Sequence, residues 1–484
     1  MERIIEKIKD RMAQYNLTSY NIAKNTGIGQ SHLSMIFNGK RKIKPAQFYA
    51  IIEQIPMPLK AKSNLADEFC RLYFTEERYL SIKYIRELFK QLSDLTSSVE
   101  DNKKLMDPQI SELGFKDTVY RGSDISLVIA QMLVNEFALG SDAVYAYLPL
   151  AGNIETLKNC IDSTVRVYKH NTKLYALVDY LGYPQQGASN IEKLKNLLPL
   201  TLSDDTDSYK FYASNVPSDI NENYSTPYPY FIAFSGCVIF LSASTDEIML
   251  HSDPEVVKSV RSRCEGRIKH YNKCIESNTD VYSMINEVVK NQGGSDYFCS
   301  LEYEPCLAMH FNIDIINDIV YPDLPPQVRE SVLSLANERL MQLKCIKKSK
   351  RIFNKNSLMD FAKTGIIYEL KDYARPLEPR ERLVILKNLY ESGLDKNHTL
   401  LALNPSNLLL SERVSMYQSN DFVLFSIWNS AEGRHKYCSL YEKSIYNAFL
   451  DFIDYLTESY YVYSETETLK FIEEAINYTQ ELCK

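Results

Sequence analysis

The chain has 484 residues, 45% of them hydrophobic and 24% charged, with a formal net charge of −7. That length suits about three domains of roughly 150 residues, and the absence of any Gly/Ser, Pro or Gln tract excludes a long disordered arm. No apolar run approaches the roughly 18 residues needed to cross a bilayer. The best, Phe231 to Leu241, is short and broken by Ser235 and Gly236, and the opening MERIIEKIKDR is charged and unlike a secretion signal. A cytoplasmic location is the expectation.

The net charge hides an asymmetry. Residues 1–60 hold ten Lys and Arg against four Asp and Glu, a balance of +6, which leaves −13 for the remainder. The basic part is the part suited to phosphate.

Met1 to Tyr15 has Ile4, Ile5, Ile8 and Met12 at helical spacing, which predicts an amphipathic first helix. Thr18 supplies an N-cap for a short second helix, TSYNIAKN. Gly27 follows where the chain must turn sharply and a positive φ is easiest for glycine. A third helix, GQSHLSMIFNG, places Leu33 and Ile36 on one face beside Ile22 and Ala23. Gln30, Ser31, His32 and Ser34 then fall on its outer face and N-terminal turn, where side chains read base edges. Gly39 ends that helix before KRKIK, a basic loop suited to the DNA backbone. A fourth helix, PAQFYAIIEQI, begins with Pro45 in its first turn and supplies Phe48, Ile51 and Ile52 to the bundle.

The segment LTSYNIAKNTGIGQSHLSMIFNGKRKI resembles the helix-turn-helix of the phage repressor (Cro/C1, xenobiotic-response-element) family, and the resemblance covers about residues 1–55. It implies an all-α DNA-binding bundle that reads a double-stranded operator. Base-edge contact is assigned to Gln30, Ser31, His32 and Ser34, and backbone contact to Thr18, Ser19, Lys40, Arg41 and Lys42. Two positions depart from the family pattern: Ser19 where Gln is usual, and Phe37 where Glu is frequent, which puts the phosphate clamp in question. Operator dyads are read by two-fold dimers, so a homodimer is expected.

From Lys60 the pattern stays helical, with Leu65, Phe69 and Leu72, then Tyr84, Ile85, Leu88, Phe89 and Leu92, on apolar stripes. The polar stretch SDLTSSVEDNKKLMDPQ, about residues 93–109, marks a boundary. Helix 123–138, strand 143–150, helix 153–162 and strand 163–170 follow, an alternation that implies an α/β layered domain. A hairpin-like pair at 229–241 and 246–251 leads through Asp253 and Pro254 into a helix beginning EVVKSVRSRCE. A similar order recurs where MYQSNDFVLFSIW and KYCSLYEK precede SIYNAFLDFIDYL, which suggests a second, degenerate lobe. The fold class is thus an all-α helix-turn-helix bundle plus a large α/β (α+β) effector region, divided as 1–58 reader, 59–110 helical connector, 111–290 first sensor lobe and 291–484 second.

The layout of the first lobe is weakly similar to the phospholipase-D-like effector domains of some regulators. That superfamily's catalytic His-x-Lys is missing, since none of the seven histidines has Lys two residues on, which implies an inert, ligand-sensing lobe. GxxxxGK, GxGxxG after a strand, HExxH and GxSxG are also missing, so no enzyme activity, cofactor or metal is expected. The ten cysteines show no CxxC pair and read mostly as buried free thiols, with a redox pair brought together by folding left open. His310, in the apolar run CLAMHFNIDI, reads as a core histidine, and His170 beside Lys169 as a pocket candidate. The tyrosine clusters YSTPYPYF and ESYYVYSE read chiefly as half-buried structure, and Trp428 ends a predicted strand. The expected function is sequence-specific transcriptional regulation, as a repressor, tuned by an unknown small-molecule or protein effector. An antitoxin-like or phage-defence interaction protein, whose helix-turn-helix only autoregulates or docks protein, is the second reading.

Overall fold

A computed structural model of the protein describes residues 1–97, 119–122, 124–148, 172–181, 187–203, 209–216, 227–273, 285–286, 288–290, 295–367, 370–405, 408, 410, 414–419, 422–429 and 434–484. They pack into two units, each built from segments distant in sequence. The first is Met1–Lys83, Ile285–Asn420 and Phe449–Lys484; the second is Tyr84–Met284 and Asp421–Ala448.

The first unit opens with helices α1 (Glu2–Gln14), α2 (Ser19–Thr26), α3 (Gln30–Phe37), α4 (Pro45–Glu53) and α5 (Leu59–Tyr73), and α6 (Glu76–Ser97) follows. Helix α1 buries the predicted stripe Ile4, Ile5, Ile8 and Met12. Ile22, Leu33, Ile36, Phe48, Ile51 and Ile52 are all fully buried, each contributing about 1.5–3 kcal/mol by leaving water. In α5 the buried arc is centred on Ala66 and Cys70, so Phe69 is inside while Leu72, expected in the core, sits on the margin at 47% exposed.

The second unit carries β1 (Val119–Arg121), α7 (Asp124–Leu139), β2 (Ala143–Tyr147), β3 (Lys173–Leu181), α8 (Gly187–Ser203), β4 (Tyr209–Val216), β5 (Tyr230–Ala233), β6 (Val238–Leu241), β7 (Glu247–His251), α9 (Pro254–Ile268) and β8 (Asn272–Lys273). Its eight strands form one sheet in the order β1-β7-β6-β5-β2-β3-β4-β8, with β2, β3 and β4 parallel and the other pairs antiparallel. Ala143, Tyr145, Leu177, Ala233 and Val238 pack beneath Val257 and Cys264 of α9. The predicted helix 153–162, strand 163–170, His170 and most of the polar boundary lie outside the described residues. The run read as one strand over 229–241 is two, because the chain turns at Ser235 and Gly236 and the Phe234 amide donates to the Cys237 carbonyl at 2.9 Å. Asp253 caps α9 as predicted, accepting from the amides of Glu255 and Val256.

The chain continues through β9 (Tyr297–Glu302), α10 (Ile313–Ile319), α11 (Pro326–Lys344), β10 (Lys348–Asn354), α12 (Lys355–Thr364), α13 (Pro379–Leu394), β11 (His398–Leu403) and β12 (Val414–Ser419) in the first unit. These strands pair in the order β11-β10-β9-β12, the first three parallel and β12 antiparallel. The second unit takes the hairpin β13 (Phe422–Asn429) and β14 (Arg434–Leu440). Helices α14 (Lys443–Thr457) and α15 (Glu465–Leu482) close the chain. Phe311, Ile319, Phe353, Phe361, Leu386, Leu389 and Ile472 build one core among these elements.

The order β11-β10-β9-β12 repeats β4-β3-β2-β5 in pairing and direction, and each set is followed along the chain by a hairpin and a helix. The recurrence seen in the sequence is thus a recurrence of topology. Five of the eight described cysteines are buried. No helix among the described residues is long and apolar enough to cross a membrane.

Within the first unit the N-terminal bundle is packed onto α14. Phe48 stacks on Phe69 with ring centroids 3.9 Å apart. The Tyr49 hydroxyl meets the Tyr455 hydroxyl at 2.9 Å and Cys70 Sγ at 3.1 Å, and Arg78 Nε donates to Asp451 at 2.7 Å. Tyr460 and Tyr461 of the ESYYVYSE cluster are buried in the same aromatic layer, the structural role expected of them.

Candidate nucleic-acid interface

Helices α2 and α3 are positioned by the local chemistry at their ends. Thr18 Oγ1 accepts from the Asn21 amide at 3.2 Å while Asn21 Oδ1 accepts from the Thr18 amide at 3.0 Å, a reciprocal capping box. Thr18 therefore spends its side chain on the cap, and it and Ser19 stand at the end of α2 where unbonded backbone amides favour a phosphate. Gly27 adopts φ +69° and ends α2, as its position in the sequence required.

Helix α3 starts at Gly29 with no side-chain cap, leaving Gln30 exposed on its first turn. Leu33, Ile36 and Phe37 are its buried face, and the opposite face presents Gln30, Ser31, Ser34, Met35 and Asn38. Phe37, at the position where the family often has Glu, is 6% exposed and closes the core. Three of the four predicted base-edge residues, Gln30, Ser31 and Ser34, are therefore outward and adjacent. His32 is not among them: it is half-buried, and its Nε2 lies 3.3 Å from Gln47 Nε2, whose Oε1 in turn accepts from the Lys44 amide at 3.1 Å. His32 thus fixes the start of α4 against α3.

After α3, Gly39 at φ +68° lets the amides of Lys40 and Arg41 both return to the Met35 carbonyl, at 2.9 and 3.2 Å. That turn aims Lys40 and Arg41 into solvent. Lys42 is exposed as well, with its Nζ 4.7 Å above the Tyr73 ring of α5, so part of its role is to hold the loop to the bundle.

Three exposed residues escaped the sequence reading: Tyr20 on α2 at 60% exposed, Met35 on α3 at 39%, and Asn38. The helical spacing from Ser31 to Met35 and from Ser34 to Asn38 is the signal that finds the last two. The face combines amide and hydroxyl groups with one apolar side chain, a set that matches base-edge donors and acceptors and the thymine methyl group.

Residues 8–60 match the helix-turn-helix family model. A comparison with curated protein sequences returns no match. Among solved structures, the chain is similar to the archaeal chromatin protein TrmBL2, described as showing a novel mode of DNA binding, at 12% identity over 53% of this chain and 88% of that one, TM-score 0.22. It is similar to phosphatidylserine synthase of Haemophilus influenzae Rd KW20 at 10% identity over 75% and 92%, TM-score 0.24. Polyphosphate kinase of Porphyromonas gingivalis follows at 10% identity over 70% and 50%, TM-score 0.21. At TM-scores this low none of the three carries weight on fold or function, and the family match to residues 8–60 is the finding that bears on the site.

Proposed function

We propose that the chain is a transcriptional regulator that binds a specific operator through α2 and α3. The carrying observation is the exposed face of α3, Gln30, Ser31, Ser34, Met35 and Asn38, with the exposed Lys40 and Arg41 in the turn that follows it. In this reading Gln30, Ser31 and Ser34 read base edges, Met35 adds apolar contact, Ser19, Lys40 and Arg41 hold phosphate, and Thr18 lies at the same backbone contact as the cap that orients α2. His32 and Lys42 position the surface. The +6 balance of residues 1–60 in an otherwise acidic chain supports the assignment.

The regulator acts in the cytoplasm as a homodimer on a dyad operator, as a repressor, and its α/β part senses an effector and has no catalytic role. Light scattering on the operator complex tests the dimer: one protomer per operator refutes it. Operator affinity measured with and without a metabolite extract tests effector control, which fails if affinity never changes. Replacing Gln30 with Ala shifts sequence preference by about 1–3 kcal/mol if its contact is bidentate. Replacing Lys40 or Arg41 with Ala weakens binding to all sequences and shallows the salt slope by about one unit per phosphate contact. Unchanged preference in Gln30→Ala refutes its base-reading role.

A further inference from the structure

The sheet face in the first unit that packs Phe353, Leu400 and Ala402 into the core carries a polar patch at one end, where strands buried on both sides are ordinarily apolar. Ser300 on β9 pairs in register with Arg351 on β10, and Ser349 on β10 with His398 on β11, so these four side chains share that face. Arg351 is 1% exposed. Its Nη1 donates to Nε2 of His310 at 3.0 Å and its Nη2 to Ser392 Oγ at 2.6 Å. Its Nε has no hydrogen-bond partner, and neither does Ser300 Oγ on the neighbouring strand.

No carboxylate reaches the guanidinium at ion-pair distance among the described residues. Burial lowers the Arg351 pKa, and the Cys306 thiol and the buried Glu302 carboxylate offset part of that. Burial first, and then the Arg351 charge, push His310 down to about 3, so its ring is a neutral acceptor. Burial and the same charge lower His398, whose Nδ1 meets Ser349 Oγ at 2.9 Å. A buried guanidinium bonded only to neutral groups, with a donor to spare, is an unfavourable arrangement that an anion relieves. Half-buried Ser392, His398 and Cys306 bring the cluster to the surface beside the last turn of α13.

We propose that this cluster is a binding site for a small oxyanion, the phosphate or carboxylate group of an effector, with Arg351 as its charge partner and the hydroxyls of Ser300 and Ser392 as further donors. The site is independent of the DNA-binding surface. Thermal unfolding of the full chain at fixed ionic strength, with inorganic phosphate in one series and acetate in the other, tests it. The expected result is a saturable rise in Tm with one anion, which also identifies the oxyanion. Arg351→Met loses that rise, and Ser392→Ala shifts it to several-fold higher anion concentration. Should Arg351→Met not fold, Ser392→Ala decides by itself. No saturable rise with either anion, or a rise left unchanged by the substitutions, overturns the proposal.

Discussion

Tyr49 makes the helix-turn-helix bundle an integral part of its unit, and the consequence is measurable. The residue is 3% exposed, with its hydroxyl shared between Tyr455, 406 positions later in the chain, and Cys70. Tyr49→Phe keeps the ring contacts with Phe48 and Tyr460, both at 5.2 Å between centroids, and removes only the hydroxyl. One hydroxyl–hydroxyl bond and one weaker contact to sulfur are lost, together about 1–2 kcal/mol. In a unit of this size each kcal/mol moves Tm by about 2–4 °C, so the variant melts about 2–8 °C lower. Tyr49→Ala, which also empties the ring's volume, costs about 3–5 kcal/mol. The assay is urea unfolding of wild type, Tyr49→Phe, Tyr455→Phe and the double variant, followed in parallel by near-ultraviolet dichroism and by protease cleavage within the bundle. A coupling of about 0.5–1.5 kcal/mol and coincident transitions by both probes are expected. Additive effects, or a bundle that unfolds by itself while the α14 region stays folded, refute the claim that the two are one unit.

Gly365 stands at φ +66°, and a Cβ there would lie 2.3 Å from the Leu377 carbonyl and 2.4 Å from Arg382 Nε. Arg382 donates to the Ala362 and Lys363 carbonyls at the end of α12, so Gly365→Ala disturbs that cap as well and destabilises by about 3 kcal/mol or more, read by denaturant midpoint. Burial outweighs the attraction of Asp179 and Glu192 and lowers Lys193 to about 8. Below pH 8 it is charged in both folded and unfolded chains and its burial cost is fully present; between about 8 and 10.5 the folded chain sheds the proton first. The stability of wild type relative to Lys193→Met therefore rises over that window, by up to about 3 kcal/mol, and a flat difference refutes the assignment. His310, held at about 3, stays neutral in the folded chain while the unfolded chain takes up a proton below about 6.5. Stability is therefore lost on acidification between those values with a slope of up to about 1.4 kcal/mol per pH unit, and His310→Gln removes that contribution.

What the sequence discloses is what local chemistry decides. The Thr18 cap, the turn at Gly27, Pro45 in the first turn of α4 and the Asp253 cap each depend on a few neighbouring residues, and each is found where the pattern places it. The stretch 229–241 is two strands because the chain turns at Ser235 and Gly236, the two residues that break its apolar run. The partners of His32 and Lys42, Gln47 and Tyr73, come from helices packed across the bundle and leave no mark in the local pattern. Met35 is exposed because the buried arc of α3, Leu33, Ile36 and Phe37, is narrower than its apolar content. The Arg351 cluster joins strands and helices more than 40 residues apart and leaves no local signature.

The central claim is that the face of α3 and the Lys40–Arg41 turn select a DNA sequence. Sequencing of genomic fragments retained by the purified full chain, alongside a Gln30→Ala, Lys40→Ala, Arg41→Ala variant, tests it most directly. A dyad motif enriched by the wild type and lost in the variant is the expected result; no enrichment by the wild type contradicts sequence selection and makes the helix-turn-helix a protein-docking bundle.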